Sequence, residues 1–317
     1  MNKISIIIPV YNAQSTILNT LKSLSTQQKL IYEIIIINDG STDKSLSIIK
    51  TYFKKHFTKI KKNIINHSKS IGLSASYNDG ILNSKGDLVI TLHSDVILQK
   101  NAISLLVAPF SQKKIIASYH QVIHPFKIWK KYNFWQKVFF DRQLKKLQSA
   151  MDGKFDCYRR KELIKIGLFD NKIFFRAGED GDIFLKLNKI GQVVSTKATI
   201  LHIHNQEDTF NYKKIIYKQA QYSEAQGALL KKYGILNIKH FIRTFFREIL
   251  LIGLLFPYIR LFFLILIIIY SFLYTKNTLI YCIKKPIVIL LPLINIYLLF
   301  ISLYFSCKGF YSGQQKI

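Results

Sequence analysis

Four short apolar runs fix what the first third of this chain can fold into. They lie at residues 4–9, 33–37, 64–66 and 87–92 and are rich in isoleucine. Each is too short for a buried helix, so each reads as a buried strand. Between them the apolar spacing becomes helical: Ile17, Leu18, Leu21 and Leu24, then Leu46, Ile49 and Phe53, then residues 73–82. Ser41, Thr42 and Asp43 offer caps for the second of these helices. Strand and helix in alternation predict an α/β fold, a mostly parallel, Rossmann-like sheet with helices on both faces. Ligands of such sheets sit at the carboxyl ends of strands. Asn12, Asp39 and Asp95 all fall there.

Residues 123–233 are less regular. The pattern predicts an aromatic helix over 128–147 and a helix with Ile183, Phe184, Leu187 and Ile190 on one side, ended by Gly191. Short strands are expected at 193–194 and 200–203. From residue 234 the composition changes. Residues 249–259 and 261–274 are apolar and interrupted only by Arg260, and residues 287–305 carry no charge at all. That last run is long enough for a membrane span. The earlier pair makes a second span only if Arg260 faces a partner or snorkels. We therefore expect a folded α/β domain at 1–235, in two halves at 1–100 and 101–235. A membrane-associated region follows at 236–317, with one or two transmembrane helices at about 249–274 and 287–305. A hairpin behind an amphipathic helix at 238–256, or one span preceded by interfacial helices, both fit the pattern.

Lys and Arg number 46 against 18 Asp and Glu, a net charge of +28. The basic residues are scattered through every segment instead of forming an arm or stripe, and no nucleic-acid recognition motif accompanies them, so no nucleic acid is expected as a partner. Attraction to anionic head groups or to a phosphorylated ligand is the better use of the charge. Cys157, Cys282 and Cys307 lie too far apart for a disulfide framework or a clustered zinc site. Met1-Asn2-Lys3-Ile4 runs directly into a strand pattern, without a signal-peptide order.

Several blocks occur together. They are Ile6-Ile7-Ile8-Pro9-Val10-Tyr11-Asn12, Glu33-Ile34-Ile35-Ile36-Ile37-Asn38-Asp39-Gly40-Ser41-Thr42-Asp43, Gly72-Leu73-Ser74-Ala75 with Asn78 and Gly80, and Gly167-Leu168-Phe169-Asp170 followed by Gly178-Glu179-Asp180-Gly181-Asp182. Together they resemble a family 2 glycosyltransferase of the GT-A fold, over residues 5–202. The resemblance implies a nucleotide-sugar donor, with Asp39 at its base and Tyr11 packed nearby. Pro9, Asn12, Gly72, Asn78 and Ser94 complete the expected donor site. Asp180 is implied as the general base toward an acceptor hydroxyl, and Glu179 as an orienting residue. Both also suit a helix start by charge alone.

The resemblance further implies a divalent metal, Mg²⁺ or Mn²⁺, held in the family by Asp-x-Asp. This chain reads His93-Ser94-Asp95. Asp95 can still serve a metal, and His93 would favour a softer ion. A late histidine ligand is also implied: His202 aligns best and His204 second, with both on one face of a strand. Tyr77 stands where the family often has Arg; Lys69 or Lys85 are the candidates to replace that cation. His56, His67, His120, His124 and His240 belong to no motif. The implied activity is inverting transfer of a sugar to a hydroxyl of a lipid-linked saccharide in surface polysaccharide or glycolipid synthesis, on the cytoplasmic side of the inner membrane. The alternatives are a polyprenyl-phosphate sugar transferase and a catalytically silent membrane scaffold.

Overall fold

The computed structural model describes residues 2–144, 146–174, 177–203 and 210–313. His204 lies outside the described residues. The chain forms two compact units. One comprises residues 1–123, 147–175 and 179–205; the other comprises residues 124–146, 176–178 and 206–317.

The first unit is built on a nine-stranded sheet. Its strands are β1 (Ile4–Val10), β2 (Glu33–Asp39), β3 (Lys61–His67), β4 (Leu88–Leu92), β5 (Val96–Leu98), β6 (Ile115–Ile123), β7 (Leu147–Ser149), β8 (Phe155–Arg159) and β9 (Gln192–His202). The order is β3-β2-β1-β4-β8-β6-β9-β5, with β7 on β6. The four amino-terminal strands pair in parallel, as the alternating pattern requires. The expectation of a mostly parallel sheet fails beyond them: the sheet is mixed. β8 is antiparallel to both β4 and β6, and β5 is antiparallel to β9. β6 and β9 pair in parallel again, and helices such as Ala102–Val107 and Glu179–Asn188 still separate these later strands. The sheet becomes mixed because β8 inserts between β4 and β6, which helical spacing alone does not announce.

β1 and β2 are buried along their whole length. Alternate residues feed two cores. Ile6, Ile8, Ile34 and Ile36 pack on one face with Ile17, Leu21, Leu24 and Ile49. Ile7, Ile35 and Ile37 pack on the other with Tyr77, Ile81, Ile183 and Leu187. Helices on both faces explain why these strands read as unbroken apolar runs.

The second unit is helical. The aromatic helix expected over 128–147 is two short helices, Phe126–Lys131 and Phe134–Phe139. The break is local: Asn133 accepts from the Gln136 amide and Gln136 bonds back, a capping box that starts a new helix. The apolar run at 249–274 is likewise two helices, Phe246–Gly253 and Arg260–Leu273. Pro257 cannot continue the first of them. Two longer helices, Tyr212–Tyr233 and Leu291–Ser312, complete this unit with two shorter ones, Ile238–Thr244 and Lys276–Tyr281. Residues 286–312 form the one described segment long and apolar enough to cross a membrane.

Candidate functional site

β1, β2 and β4 end side by side, and a cavity of about 280 Å³ opens at their carboxyl ends. Pro9 and Tyr11 line it from β1, Asp39 from β2, and His93, Ser94 and Asp95 from the turn after β4. Gly72 and Ser76, at the start of helix Leu73–Asn83, face it from the other side. All seven expected donor residues belong to the first unit, and five of them, Pro9, Tyr11, Asp39, Gly72 and Ser94, line the cavity. Asn12 has φ +48°, and its Oδ1 accepts from the Thr42 amide at 2.9 Å. Asn78 is spent on the Phe169 backbone, donating to its carbonyl at 2.9 Å and accepting from its amide at 3.0 Å. Both side chains hold loops; neither is among the cavity-lining residues.

Asp39 is buried and takes four donors. The Ile71 amide and His67 bond Oδ1 at 2.9 and 2.8 Å; the Ser70 hydroxyl and Gly72 amide bond Oδ2 at 2.7 and 3.1 Å. Burial raises its pKa, but these donors outweigh it, and the carboxyl lies below its usual range. Gly40 makes the arrangement possible. It has φ +70°, and a Cβ there would sit 2.7 Å from the backbone of Lys69 and Ser70. Only glycine lets the 69–72 loop close on Asp39. A ligand N–H at Asp39 must share an oxygen with one of these donors.

His93, Asp95 and His202 converge. His202 Nε2 lies 3.0 Å from Asp95 Oδ2, and His93 Nδ1 lies 3.9 Å from Asp95 Oδ1. β5 and β9 set this meeting, because Val96 pairs with His202. Among the described residues His93 Nε2 is buried without a hydrogen-bond partner. Burial lowers the His93 pKa to about 4, against the opposing pull of Asp95, so the ring is neutral at neutral pH. Two imidazoles and a carboxylate fit a divalent ion, with nitrogen donors suiting Mn²⁺ better than Mg²⁺. His93, Asp95 and His202 are the residues that would hold it.

Glu179 and Asp180 open helix Glu179–Asn188. Burial, and next the Asp180 charge, push Glu179 up to about 7. Burial also raises Asp180; the Gly181 amide, 2.7 Å from its Oδ1, opposes, while Asp152 and Asp156 add to the rise. Asp182, expected to cap the helix or pair locally, pairs with Lys186 at 2.9 Å.

A second cluster escaped the sequence reading. His120, Asp152 and Asp156 bring ligand atoms within 4.8 Å of one another. His120 Nδ1 meets Asp156 Oδ1 at 3.0 Å, and Asp156 Oδ2 accepts from the Gly153 amide at 2.7 Å. The turn this fixes has two further ties. Gly153 O accepts from the Tyr77 hydroxyl at 2.9 Å, and Lys154 O accepts from the His93 amide at 3.0 Å. Lys154 acts electrostatically on His93, Glu179 and Asp180 alike. Tyr77 thus does not supply a cation but fixes the turn that brings one in. Lys154, which the sequence reading did not name, is a lysine whose charge reaches the candidate residues. The motif signal for it was slight: Asp152-Gly153-Lys154 reads as an ordinary turn.

Known proteins bear on this arrangement. The chain is 28% identical over 349 residues to a dolichyl N-acetyl-alpha-D-glucosaminyl phosphate 3-beta-D-2,3-diacetamido-2,3-dideoxy-beta-D-glucuronosyltransferase of Methanococcus voltae, covering 100% of this chain and 98% of that protein. It is 25% identical over 270 residues to the uncharacterized glycosyltransferase YfnE of Bacillus subtilis, covering 67% of each. The match to the uncharacterized glycosyltransferase YibD of Escherichia coli, 39% over 94 residues, spans 26% of that protein. Among solved structures, S. aureus TarS 1-349 superposes with a TM-score of 0.54 at 15% identity, covering 98% of this chain and 93% of that one. A Pyrobaculum calidifontis mannosyltransferase in complex with GDP-Man and Mn2+ gives 0.55 at 12% identity, covering 71% of this chain and 62% of that one. These likenesses establish a GT-A-like fold. The glycosyl transferase family 2 profile matches residues 5–166, more than half of the chain. The chain is therefore a glycosyltransferase and belongs to glycosyl transferase family 2.

Proposed function

We propose that this glycosyltransferase moves a sugar, with inversion, from a nucleotide-sugar to a hydroxyl of a lipid-linked saccharide acceptor in cell-surface polysaccharide or glycolipid synthesis. Residues 1–235 are the catalytic domain, cytoplasmic, and residues 236–317 attach it to the inner membrane. The observation that carries the reading is the cavity at the strand ends, with Asp39 on one wall and His93 and Asp95 on the other. GDP-Man with Mn2+ and UDP-GlcNAc are bound by structural relatives, and a dolichyl-linked acceptor is named for a sequence relative.

Asp39 orients the base, with Tyr11 against it; the donor-rich 70–72 loop keeps Asp39 ionised and aimed. Ser94 and the Gly72 amide end of its helix face the diphosphate. Asp180 takes the proton from the acceptor hydroxyl. The raised pKa of Asp180 makes it a stronger base than an exposed aspartate. The freed oxygen attacks the anomeric carbon as the bond to the diphosphate breaks, and the nucleoside diphosphate leaves with that electron pair. A divalent ion at His93, Asp95 and His202, when bound, supplies charge for the leaving diphosphate. Lys154 adds a fixed positive charge beside His93. Glu179, near half-protonated at neutral pH, donates a hydrogen bond to a sugar or acceptor hydroxyl.

The test is a screen of nucleotide-sugars for binding and hydrolysis by the full chain, with and without Mn²⁺, followed by glycan analysis of a deletion strain. One nucleotide-sugar bound and slowly hydrolysed, together with a lipid-linked glycan truncated in the deletion strain, is the expected result. Binding of none of them overturns the reading.

A further inference from the structure

The helical unit is built inside out. On helix Leu291–Ser312 the buried positions include Asn295, Ser302, Ser306 and Gly309, while Leu293, Tyr297, Phe300, Tyr304 and Tyr311 are exposed. The buried side is a polar seam. Glu248 Oε1 accepts from Ser302 at 2.6 Å and Ser306 at 2.8 Å, and Ser302 meets Ser223 at 2.9 Å. Asn295 donates to the Ser271 carbonyl at 2.7 Å. The backbones touch: a Cβ on Gly309 would lie 1.9 Å from the Glu224 carbonyl, and one on Gly227 1.9 Å from that of Ser306. Small residues and polar glue inside, with large apolar residues outside, is the packing of helices in lipid. Helix Arg260–Leu273 repeats it, burying Ser271 and exposing Leu264, Ile265, Ile268 and Phe272. So much apolar surface is foreign to a chain bathed in water.

Length and packing decide how this surface meets a bilayer. Helix Arg260–Leu273 has 14 residues, about 21 Å at 1.5 Å per residue, short of the ~30 Å hydrocarbon core. Helix Leu291–Ser312 is long enough, but it does not stand alone. Helix Tyr212–Tyr233 runs beside it, from Ile215 near Leu291 and Leu298 to Lys231, whose Nζ donates to the Tyr311 carbonyl at 2.7 Å. That neighbour packs on Leu298, Ser302 and Gly309, on average about 150° around the helix from Tyr297, Phe300 and Tyr304 at 100° per residue. A crossing pair would carry Lys218 of its neighbour into hydrocarbon, which is costly, with Lys213, Lys214, Lys231 and Lys232 at the two interfaces. Lying flat avoids this: the apolar stripe meets lipid and the lysine-bearing helix stays wet. The charge agrees. Residues 234–317 carry nine Lys and Arg against one acid, the buried Glu248, a net +8. Arg260, Lys276, Lys284 and Lys285 are exposed beside the apolar positions.

From this inverted packing and charge we propose that the helical unit lies in the plane of one leaflet of an anionic bilayer, without crossing it. The proposal deepens the membrane-bound reading above and rests on it. It is tested with the full chain carrying Cys307→Ser, added to preformed sealed vesicles. Flotation is expected with phosphatidylglycerol vesicles and at least tenfold less with phosphatidylcholine alone. Lys284→Cys and Ser312→Cys, at the two ends of the last helical segment, should react equally with an impermeant maleimide from outside. Protection of either one until detergent is added means that the helix crosses, and overturns the proposal. Absence of flotation, or equal flotation with both lipids, overturns it as well. Phe300→Glu and Ile268→Glu change positions already exposed in the fold, so unfolding should be unmoved while vesicle binding falls at least tenfold. Unchanged binding also counts against the proposal. Nucleotide-sugar hydrolysis is read in the same samples. Hydrolysis without flotation removes the docking and leaves the chemistry; flotation without hydrolysis does the reverse.

Discussion

The two units solve opposite problems with the same apolar alphabet. In the sheet unit, isoleucines of β1 and β2 are fully buried and polar side chains gather at the strand ends, where they face a cavity. In the helical unit, serines, asparagine, glycines and a glutamate share the inside with Leu250, Leu251, Ile267, Leu298 and Leu299, while many other leucines, isoleucines and tyrosines are outside. Burial of apolar area drives folding in water. In lipid that drive is absent, and close packing with internal hydrogen bonds takes its place. The difference separates function from attachment, and it predicts which substitutions strike chemistry and which strike stability.

The largest effect is expected at the lip of the sheet unit. Asp180→Asn keeps the shape of the side chain and removes its basicity. Transfer should fall on the order of 10²–10⁴-fold, with donor affinity, measured calorimetrically, unchanged. Turnover above about a tenth of the parent rules Asp180 out as the base. Next is Asp95→Ala, which takes away the carboxylate between His93 and His202. Donor affinity and response to Mn²⁺ should fall together by more than about tenfold, the scale of losing support at a metal site. An enzyme fully active in excess chelator breaks the metal assignment for all three residues.

Glu179 gives a pH test in the same unit. Its folded pKa is raised from 4.5 to about 7. The folded chain therefore holds a proton that the unfolded chain has lost between these values. That contribution to stability is fully present below pH 4.5 and is lost as the pH rises through about 7. At 1.36 kcal/mol per pH unit the loss is about 3 kcal/mol at most. Glu179→Gln keeps a neutral side chain, so denaturant unfolding should show it gaining on the parent as pH rises from 5 to 8. Parallel profiles would mean that Glu179 is not held protonated by its surroundings.

What the sequence disclosed follows from how local each feature is. The Asn38-Asp39-Gly40 turn was legible, because strand, turn and glycine are adjacent and Gly40 alone admits the 69–72 loop. The meeting of Asp95 with His202 spans 107 residues and was reached only through family resemblance. The His120–Asp152–Asp156 cluster joins β6 to the turn before β8 and carried no motif. Asn12 and Asn78 were placed at the donor by motif, yet their side chains bond backbone. A motif marks where a residue sits but not which way its amide turns. The parallel half of the sheet was readable from its regular strand–helix alternation, whereas the insertion of β8 between β4 and β6 left no local trace. In the last 84 residues, hydropathy averaged over a window cannot report that Glu248, Ser271, Asn295, Ser302 and Ser306 face inward.

The smallest expected effect pits the two interiors against each other through glycine. Gly80, in the sheet unit, faces Ile7: an added Cβ would meet its Cγ2 at 2.3 Å. That methyl sits on the Cβ of a buried β-branched residue, so helix Leu73–Asn83 must shift slightly off β1, and Gly80→Ala should cost about 1–2 kcal/mol. Gly309, in the helical unit, faces the Glu224 carbonyl at 1.9 Å, and backbone cannot turn aside. Gly309→Ala must push helix Leu291–Ser312 off Tyr212–Tyr233 and stretch the bonds of Ser302 and Ser306 to Glu248. A cost of about 2–3 kcal/mol, the upper end for overpacking, is expected. Unfolding followed separately in each unit should show the Gly309 change confined to the helical unit. Hydrolysis of the nucleotide-sugar by the sheet unit should be untouched. If the two alanines cost the same, or if Gly309→Ala abolishes hydrolysis, the two interiors are not packed by different rules and the contrast between them falls.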